Sequence, residues 1–230
     1  MNKTKEIFGL NISYRSFLES ILWIEKRTRG NKGWVVYCCT LNEIVMNWDD
    51  KKIKKIFKKA DLLTADGMPL VWVLRHKTKR KVERVYGPDL MERMLDRVKD
   101  SHIFVGDKKN EKYFHEYGKY IVMPIKEKFN KNDYQKLFDR INKEKGKIVW
   151  LGLGSRKQIE TAYELKKMGM SKVIITVGAA FDFLSGNKKQ SPIWLRNIGG
   201  EWLFRLINEP SRLFKRYLKI GIFLLRQRIN

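Results

Sequence analysis

Six apolar runs rich in β-branched and aromatic residues recur along the chain with helical patterns between most of them, and that alternation leaves few folds open. The runs are Trp34–Cys39, Asp61–Thr64, His102–Val105, Tyr120–Met123, Ile148–Leu151 and Val173–Val177. They are near-continuous rather than alternating, as strands buried between two layers are. Helical patterns lie around residues 42–59, 69–77, 88–99, 109–118, 131–145 and 155–169. The expected fold is therefore α/β, a three-layer Rossmann-like arrangement around a mainly parallel sheet.

The pattern changes after about residue 190. Trp194-Leu195-Arg196, Trp202-Leu203-Phe204-Arg205 and the run Arg212–Lys219 carry no strand signal and form a basic, aromatic-rich helical stretch split near Pro210. The chain divides on this reading into an α/β core over 1–190 and an amphipathic helical appendage over 191–230. The first half of the appendage is expected to pack on the core. An amphipathic helix with Arg and Lys on one side and Leu, Phe and Tyr on the other suits the headgroup zone of an anionic bilayer.

A chain of 230 residues with 43% hydrophobic content can bury a substantial core, so disorder is not expected. Its two cysteines, Cys38 and Cys39, are adjacent within an apolar run, a poor arrangement for a disulfide or a metal site, and indicate a reducing compartment. No signal peptide is visible, and the best apolar stretch near the C-terminus, Ile220–Leu225, is too short to span a bilayer. A cytoplasmic, non-spanning protein is expected.

Lys and Arg number 49 against 25 Asp and Glu, a net charge of +24 that calls for a polyanionic partner. Nucleic acid, an anionic membrane surface and a phosphorylated substrate would all satisfy it. The lysines of Lys51–Lys59 read as the solvated face of an ordinary amphipathic helix. The excess toward the C-terminus accompanies bulky apolar residues, which RNA binding does not need. A basic nucleic-acid-binding protein is thus the rival reading, and a membrane-surface partner without nucleic acid the preferred one.

Several strands end in polar or glycine-containing turns: Thr40-Leu41-Asn42, Thr64-Ala65-Asp66-Gly67, Gly106-Asp107, Gly152-Leu153-Gly154-Ser155 and Gly178-Ala179-Ala180. In a parallel sheet these turns share one edge, where helix N-termini offer N–H groups to an anion such as the phosphates of a ligand. Each glycine taken singly reads as a turn requirement, and neither a dinucleotide-binding glycine pattern nor a P-loop is complete. Asp66 is the lone acid in its turn, between Ala65 and Gly67, which are too small to screen its carboxylate. Asp before a helix is commonly an N-cap; Pro69, at home in the first helical turn, would put Met68 at the cap and Asp66 too early. From spacing, a catalytic or ligand-binding role and a turn or capping role both stay open.

The combined motifs resemble the WecG/TagA/CpsF glycosyltransferases, from roughly Thr40 to Tyr217. Four pieces carry the likeness: Thr40-x-Asn42; Ala65-Asp66-Gly67-Met68-Pro69 with Arg84-Val85-Tyr86-Gly87-Pro88-Asp89; Gly154-Ser155-x-Lys157-Gln158; and Gly178-Ala179-Ala180-Phe181-Asp182-Phe183-x-Ser185-Gly186, followed by Pro192-x-Trp194 and Glu201–Leu206. The resemblance implies inverting transfer of a hexose or N-acetylhexosamine from a UDP-sugar to a lipid diphosphate-linked glycan at the cytoplasmic face of a bacterial membrane. Asp66 matches the family's general base, and Thr40, Asn42, Arg84 and Gln158 its substrate pocket. Arg205, Arg212 and Arg216 fall in the segment whose arginines meet the lipid diphosphate. Gly106, Gly152, Gly154, Gly178 and Asp182 are the expected donor-side positions. No cofactor is implied, and without any Asp-x-Asp pair no metal is expected. The chain departs from the family at Arg156, at Gln190-Ser191-Pro192 and at Gly106-Asp107-Lys108-Lys109-Asn110, all near the donor, which leaves the sugar open, N-acetylmannosamine included. A homo-oligomer is also left open.

Overall fold

The computed structural model describes residues 3–124 and 126–228, less the side chains at 197, 212, 227 and 228. It opens with an antiparallel hairpin of β1 (Thr4–Ile7) and β2 (Leu10–Ser13) and a helix α1 (Phe17–Thr28). There follow β3 (Trp34–Cys39), α2 (Leu41–Met46), α3 (Lys51–Lys58), β4 (Leu62–Ala65), α4 (Met68–Thr78), α5 (Gly87–Arg97) and β5 (His102–Gly106). A 3₁₀ turn at Lys108–Asn110 leads into α6 (Glu111–Phe114), then β6 (Gly118–Val122), α7 (Lys131–Asn142), β7 (Ile148–Gly152), α8 (Ser155–Lys167) and β8 (Val173–Thr176). The chain closes with α9 (Ala180–Leu184), α10 (Ile193–Asn197), α11 (Glu201–Asn208) and α12 (Pro210–Arg228).

The six predicted strands form one fully parallel sheet in the order β4-β3-β8-β7-β5-β6. Alternate residues of each strand feed two cores, as buried parallel strands must. On one face Val35, Tyr37 and Cys39 of β3 pack with Ile44 of α2, Ile53 and Phe57 of α3, Leu70 and Leu74 of α4, Leu137 and Ile141 of α7, and Ile159 and Leu165 of α8. On the other Val36 and Cys38 pack with Ile21 and Ile24 of α1, Leu90 and Met94 of α5, and Phe114 and Phe181 of α6 and α9. The result is the expected three-layer, Rossmann-like architecture. Because every strand of this sheet points the same way, the turns after β3, β4, β7 and β8 gather at one edge.

Two expected helices need correction, and the appendage packs more widely than expected. The helix expected over 42–59 is two, because Asn47-Trp48-Asp49-Asp50 breaks it. Asn47 bonds back to the Glu43 carbonyl at 2.8 Å, and the Asp50 carboxylate caps α3 by accepting from the amides of Lys52 and Ile53, a local competition that ends one helix and starts the next. The helix expected over 109–118 is shortened to the 3₁₀ turn and one turn of α6, since Gly118 already begins β6. In the appendage, the break at Pro210 is observed and the first half meets the core as expected, Glu201 bonding Arg84 and Tyr86 and Arg196 pairing with Asp89, but the second half reaches it too. Leu213 and Phe223 of α12 are buried, whereas α11 buries none of its residues fully. Phe223 is held in an aromatic group with Phe8 at the hairpin tip and Trp48 in the break between α2 and α3, at centroid separations of 5.1 and 4.8 Å. The hairpin turn itself, Phe8-Gly9, has both φ angles positive, 53° and 71°, as a two-residue turn matching strand twist demands.

Candidate active site

A cavity of about 1710 Å³ lies over the carboxyl ends of β3, β4, β7 and β8, with α4 along one side and α11 and α12 forming the opposite wall. Its lining includes Thr40, Asn42, Asp66, Arg84, Gly152, Gly154, Gln158, Gly178, Asp182, Arg205 and Arg216. Residues 150 positions apart in the chain thus meet in one space, as the shared edge of a parallel sheet requires. Arg212 belongs to α12, and its side chain lies outside the described residues. Gly106 is the expected site residue that stands apart from this lining.

Asp66 follows the last residue of β4. Its amide donates to the Cys39 carbonyl at 3.0 Å, and its carbonyl accepts from Arg84 Nε. The cap of α4 is Gly67, not Met68, with Pro69 in the first turn and no side-chain cap bond; a fixed φ and a missing N–H cost nothing there. Asp66 is left free of capping duty, and its side chain is only 12% exposed. Burial pushes the carboxyl up to about 7, against the pull of Arg84 and with the help of the Glu201 and Glu43 carboxylates. A carboxyl in that range both holds and releases a proton near neutral pH. Gly87 keeps the place clear, since a Cβ there would stand 3.3 Å from Asp66 Oδ2.

Thr40 and Gln158 hold structure around this carboxylate. Thr40 caps α2 in a reciprocal box, its Oγ1 accepting from the Glu43 amide at 3.2 Å while its own amide donates to Glu43 Oε2 at 3.0 Å. Glu43 Oε1 also accepts from Ser155 Oγ at 2.9 Å and Gln158 Nε2 at 3.4 Å, and Gln158 Oε1 takes the Gly178 amide at 3.0 Å. Three of the turns at the sheet edge are thereby tied through one buried carboxyl, whose pKa burial raises. Glu43 was absent from the expected site, although Thr40-x-x-Glu43 is the sequence signature of a capping box. Asn42 differs from its neighbours: its Oδ1 is buried without a hydrogen-bond partner, an acceptor facing a cavity that a ligand donor could satisfy.

The cationic wall is organised by a second residue missing from the expected site, Glu201. Its Oε2 accepts from Arg84 Nη2 at 2.6 Å and its Oε1 from the Tyr86 hydroxyl at 3.3 Å, while Arg205 Nη2 forms an ion pair with Oε1 at 2.5 Å. Arg84 Nη2 is also 3.6 Å from Asp66 Oδ1. At the opposite rim, burial raises the Asp182 carboxyl, but Lys109 Nζ at 2.7 Å and Asn110 Nδ2 at 3.2 Å outweigh it and hold the group below the usual range. Lys188, Lys189 and Arg216 also line the space.

The glycines divide into two sorts. A Cβ on Gly152 would lie 2.4 Å from the Phe181 ring, and one on Gly106 within 2.9 Å of the same ring. Both make room for a buried aromatic under the cavity floor, a packing need. Gly154 caps α8 without a side-chain bond, leaving the amides of that first turn to face the cavity, and Gly178 takes φ 57° at the turn after β8.

A parallel sheet with a large cavity at its carboxyl edge, convergent charged groups on its wall and a near-neutral carboxyl in it has the layout of an α/β enzyme. Residues 5–230 match the model of the Glycosyl transferase WecG/TagA/CpsF family. The chain belongs to that family and is a glycosyltransferase, as its motifs indicated, over essentially its whole length.

Proposed function

We propose that the protein is an inverting glycosyltransferase that moves a hexose or N-acetylhexosamine from a UDP-sugar to a sugar carried on a polyprenyl diphosphate, in the synthesis of a bacterial cell-surface polysaccharide or teichoic acid. The observation that carries this reading is the buried Asp66 carboxyl, raised to about 7 in a cavity that Arg84, Arg205, Arg216, Lys188 and Lys189 also line. Asp66 takes the proton of the acceptor hydroxyl as that oxygen attacks the anomeric carbon. The bond from that carbon to the diphosphate oxygen breaks on the far side, and UDP departs with the electron pair, so configuration inverts. Asn42 Oδ1 supplies an acceptor for a sugar hydroxyl. The uncapped first turn of α8 and the Lys188 and Lys189 side chains meet diphosphate charge, and Arg205 and Arg216 meet that of the lipid-linked acceptor. With no Asp-x-Asp pair in the sequence, this charge balance runs without a metal.

The appendage, residues 191–230 on this reading, brings the cavity to the inner face of the cytoplasmic membrane. Among the described residues no helix is long and apolar enough to cross a membrane. Instead α12 is two-sided: Leu213 and Phe223 face inward, while Phe214, Leu218, Ile222 and Leu225 form an outward stripe beside Lys215, Lys219 and Arg226. Trp194 and Ile198 of the α10 region are exposed as well. A lipid surface is favoured over nucleic acid because this stripe, Phe214 apart, is aliphatic and runs beside basic residues.

The test is a panel of labelled nucleotide sugars offered with a polyprenyl diphosphate-linked N-acetylglucosamine acceptor, with and without EDTA. Transfer from a UDP-sugar, undiminished by EDTA and giving the inverted linkage by NMR, is expected. Retention of configuration, or transfer only from a lipid-phosphate sugar donor, would overturn the reading.

A further inference from the structure

We propose that Glu201, on the first turn of α11, is a positioning residue that holds the Arg84 guanidinium off the Asp66 carboxylate and so keeps that carboxylate able to accept a proton. The inference rests on Asp66 acting as the base. Its geometric ground is a competition for one nitrogen. Arg84 is anchored through Nε on the Asp66 carbonyl, which leaves Nη2 as the group that two carboxylates can claim. Nη2 stands 2.6 Å from Glu201 Oε2 and 3.6 Å from Asp66 Oδ1, so Glu201 has the hydrogen bond and Asp66 only the weaker, longer attraction.

The competition is decided by how firmly Glu201 is held. Arg205 from its own helix and the Tyr86 hydroxyl both bind its other oxygen. Burial alone would raise the Glu201 carboxyl, but Arg205 and Arg84 outweigh it and hold the group below its ordinary value, whereas at Asp66 burial wins. The Arg84 side chain is confined further by lying over the Tyr86 ring, 3.8 Å from its centroid. An unopposed guanidinium this close to a buried Asp would close on it and lower its pKa by about 1–3, leaving a carboxylate too weak as a base to take a hydroxyl proton efficiently.

The other groups facing Asp66 do not supply the same control. From β3, the Cys38 and Cys39 thiols are pushed up by burial and stay neutral. The Tyr86 hydroxyl is likewise raised by burial. Glu43 of α2 is pushed up by burial and tied to Thr40, Ser155 and Gln158, with no contact to Arg84. From the appendage Glu201 and Arg205 reach this corner, and Arg196 lies over the Tyr86 ring at 5.6 Å, paired with Asp89 rather than with Asp66. The same helix that forms the cavity wall therefore tunes the carboxyl at its floor.

The experiment is a ¹³C NMR titration of the Asp carboxyl carbons in the full-length protein, the Asp66 signal being assigned by its loss in Asp66→Asn. The wild-type midpoint is expected near 7. Glu201→Gln, which keeps the size and an acceptor oxygen but no charge, is expected to lower that midpoint by about one to two pH units. Arg205→Gln frees Glu201 to draw harder on Arg84 and is expected to raise it. A Glu201→Gln midpoint that stays or rises overturns the inference; should that variant fail to fold, an Arg205→Gln midpoint that stays or falls does so. Transfer assays on the same proteins separate this from the underlying reading. Full activity in Asp66→Asn would remove Asp66 as the base even where the midpoints move as expected.

Discussion

Asp66→Asn is expected to lower the rate of glycosyl transfer by about 10²–10⁴-fold, the usual contribution of a positioned general base. The substitution keeps the shape, the amide bond to Cys39 and the carbonyl that receives Arg84 Nε. It removes only the site that takes the proton, so the loss belongs in kcat, with little change in KM for the donor. The same variant should be more stable than the wild type above neutral pH. An acid whose folded pKa is raised binds its proton more tightly when folded, so its presence costs stability as pH rises from the ordinary value of 3.8 toward 7. At pH 8 the gain in Asp66→Asn should be about 2–4 kcal/mol by chemical denaturation, and it should vanish below about pH 4. An enzyme that gains stability as it loses activity is one whose strained carboxyl serves the chemistry. If Asp66 were a structural turn residue, the substitution would lower stability and leave turnover alone.

The second large effect concerns the outward stripe of α12. Phe214, Leu218 and Leu225 are 62, 56 and 62% exposed, so replacing all three with Ser removes little packing from the folded chain. On a membrane each would lose about 1 kcal/mol of partial insertion, together about 3 kcal/mol, or on the order of a 100-fold fall in binding to vesicles containing anionic lipid. Unfolding in the absence of lipid should be unchanged within about 0.5 kcal/mol. Activity on a long-chain acceptor in vesicles should fall with binding, while activity on a short soluble analogue persists. Vesicle binding at the wild-type level would show that this stripe has another partner.

How much of this was legible in the sequence follows from where the information sits. The six strands of the main sheet were readable because burial on both faces makes runs such as Val173–Thr176 and Ile148–Gly152 apolar throughout. The hairpin was not, since β1 and β2 are four residues each and turn on Phe8-Gly9 rather than an Asn-Gly pair. Nor was α1, although Ser16-x-x-Glu19 forms a capping box at its start. Within the cavity, Asp66 stood out as a lone acid at a strand end, where parallel sheets collect chemistry, but its role and that of Asn42 came from the family resemblance. Glu201 could not be understood that way, because its role depends on Arg84, 117 residues away in the chain. The glycines were legible as turns but not as to purpose: that Gly106 and Gly152 serve the Phe181 ring is a fact of three elements meeting. The inward half of α12 was hidden for the same reason, its partners being the hairpin tip and a helix break that the periodicity ran straight through.

The central claim, that a single carboxyl raised by burial takes the acceptor proton, is tested most directly by the pH dependence of kcat/KM, which reports the groups of the free enzyme. Asp66 works only when ionised, so activity should rise with pH along an acidic limb whose midpoint lies near 7, and the residual activity of Asp66→Asn should lack that limb. A wild-type profile flat from pH 5 upward, or a limb near 7 that survives in Asp66→Asn, would contradict it.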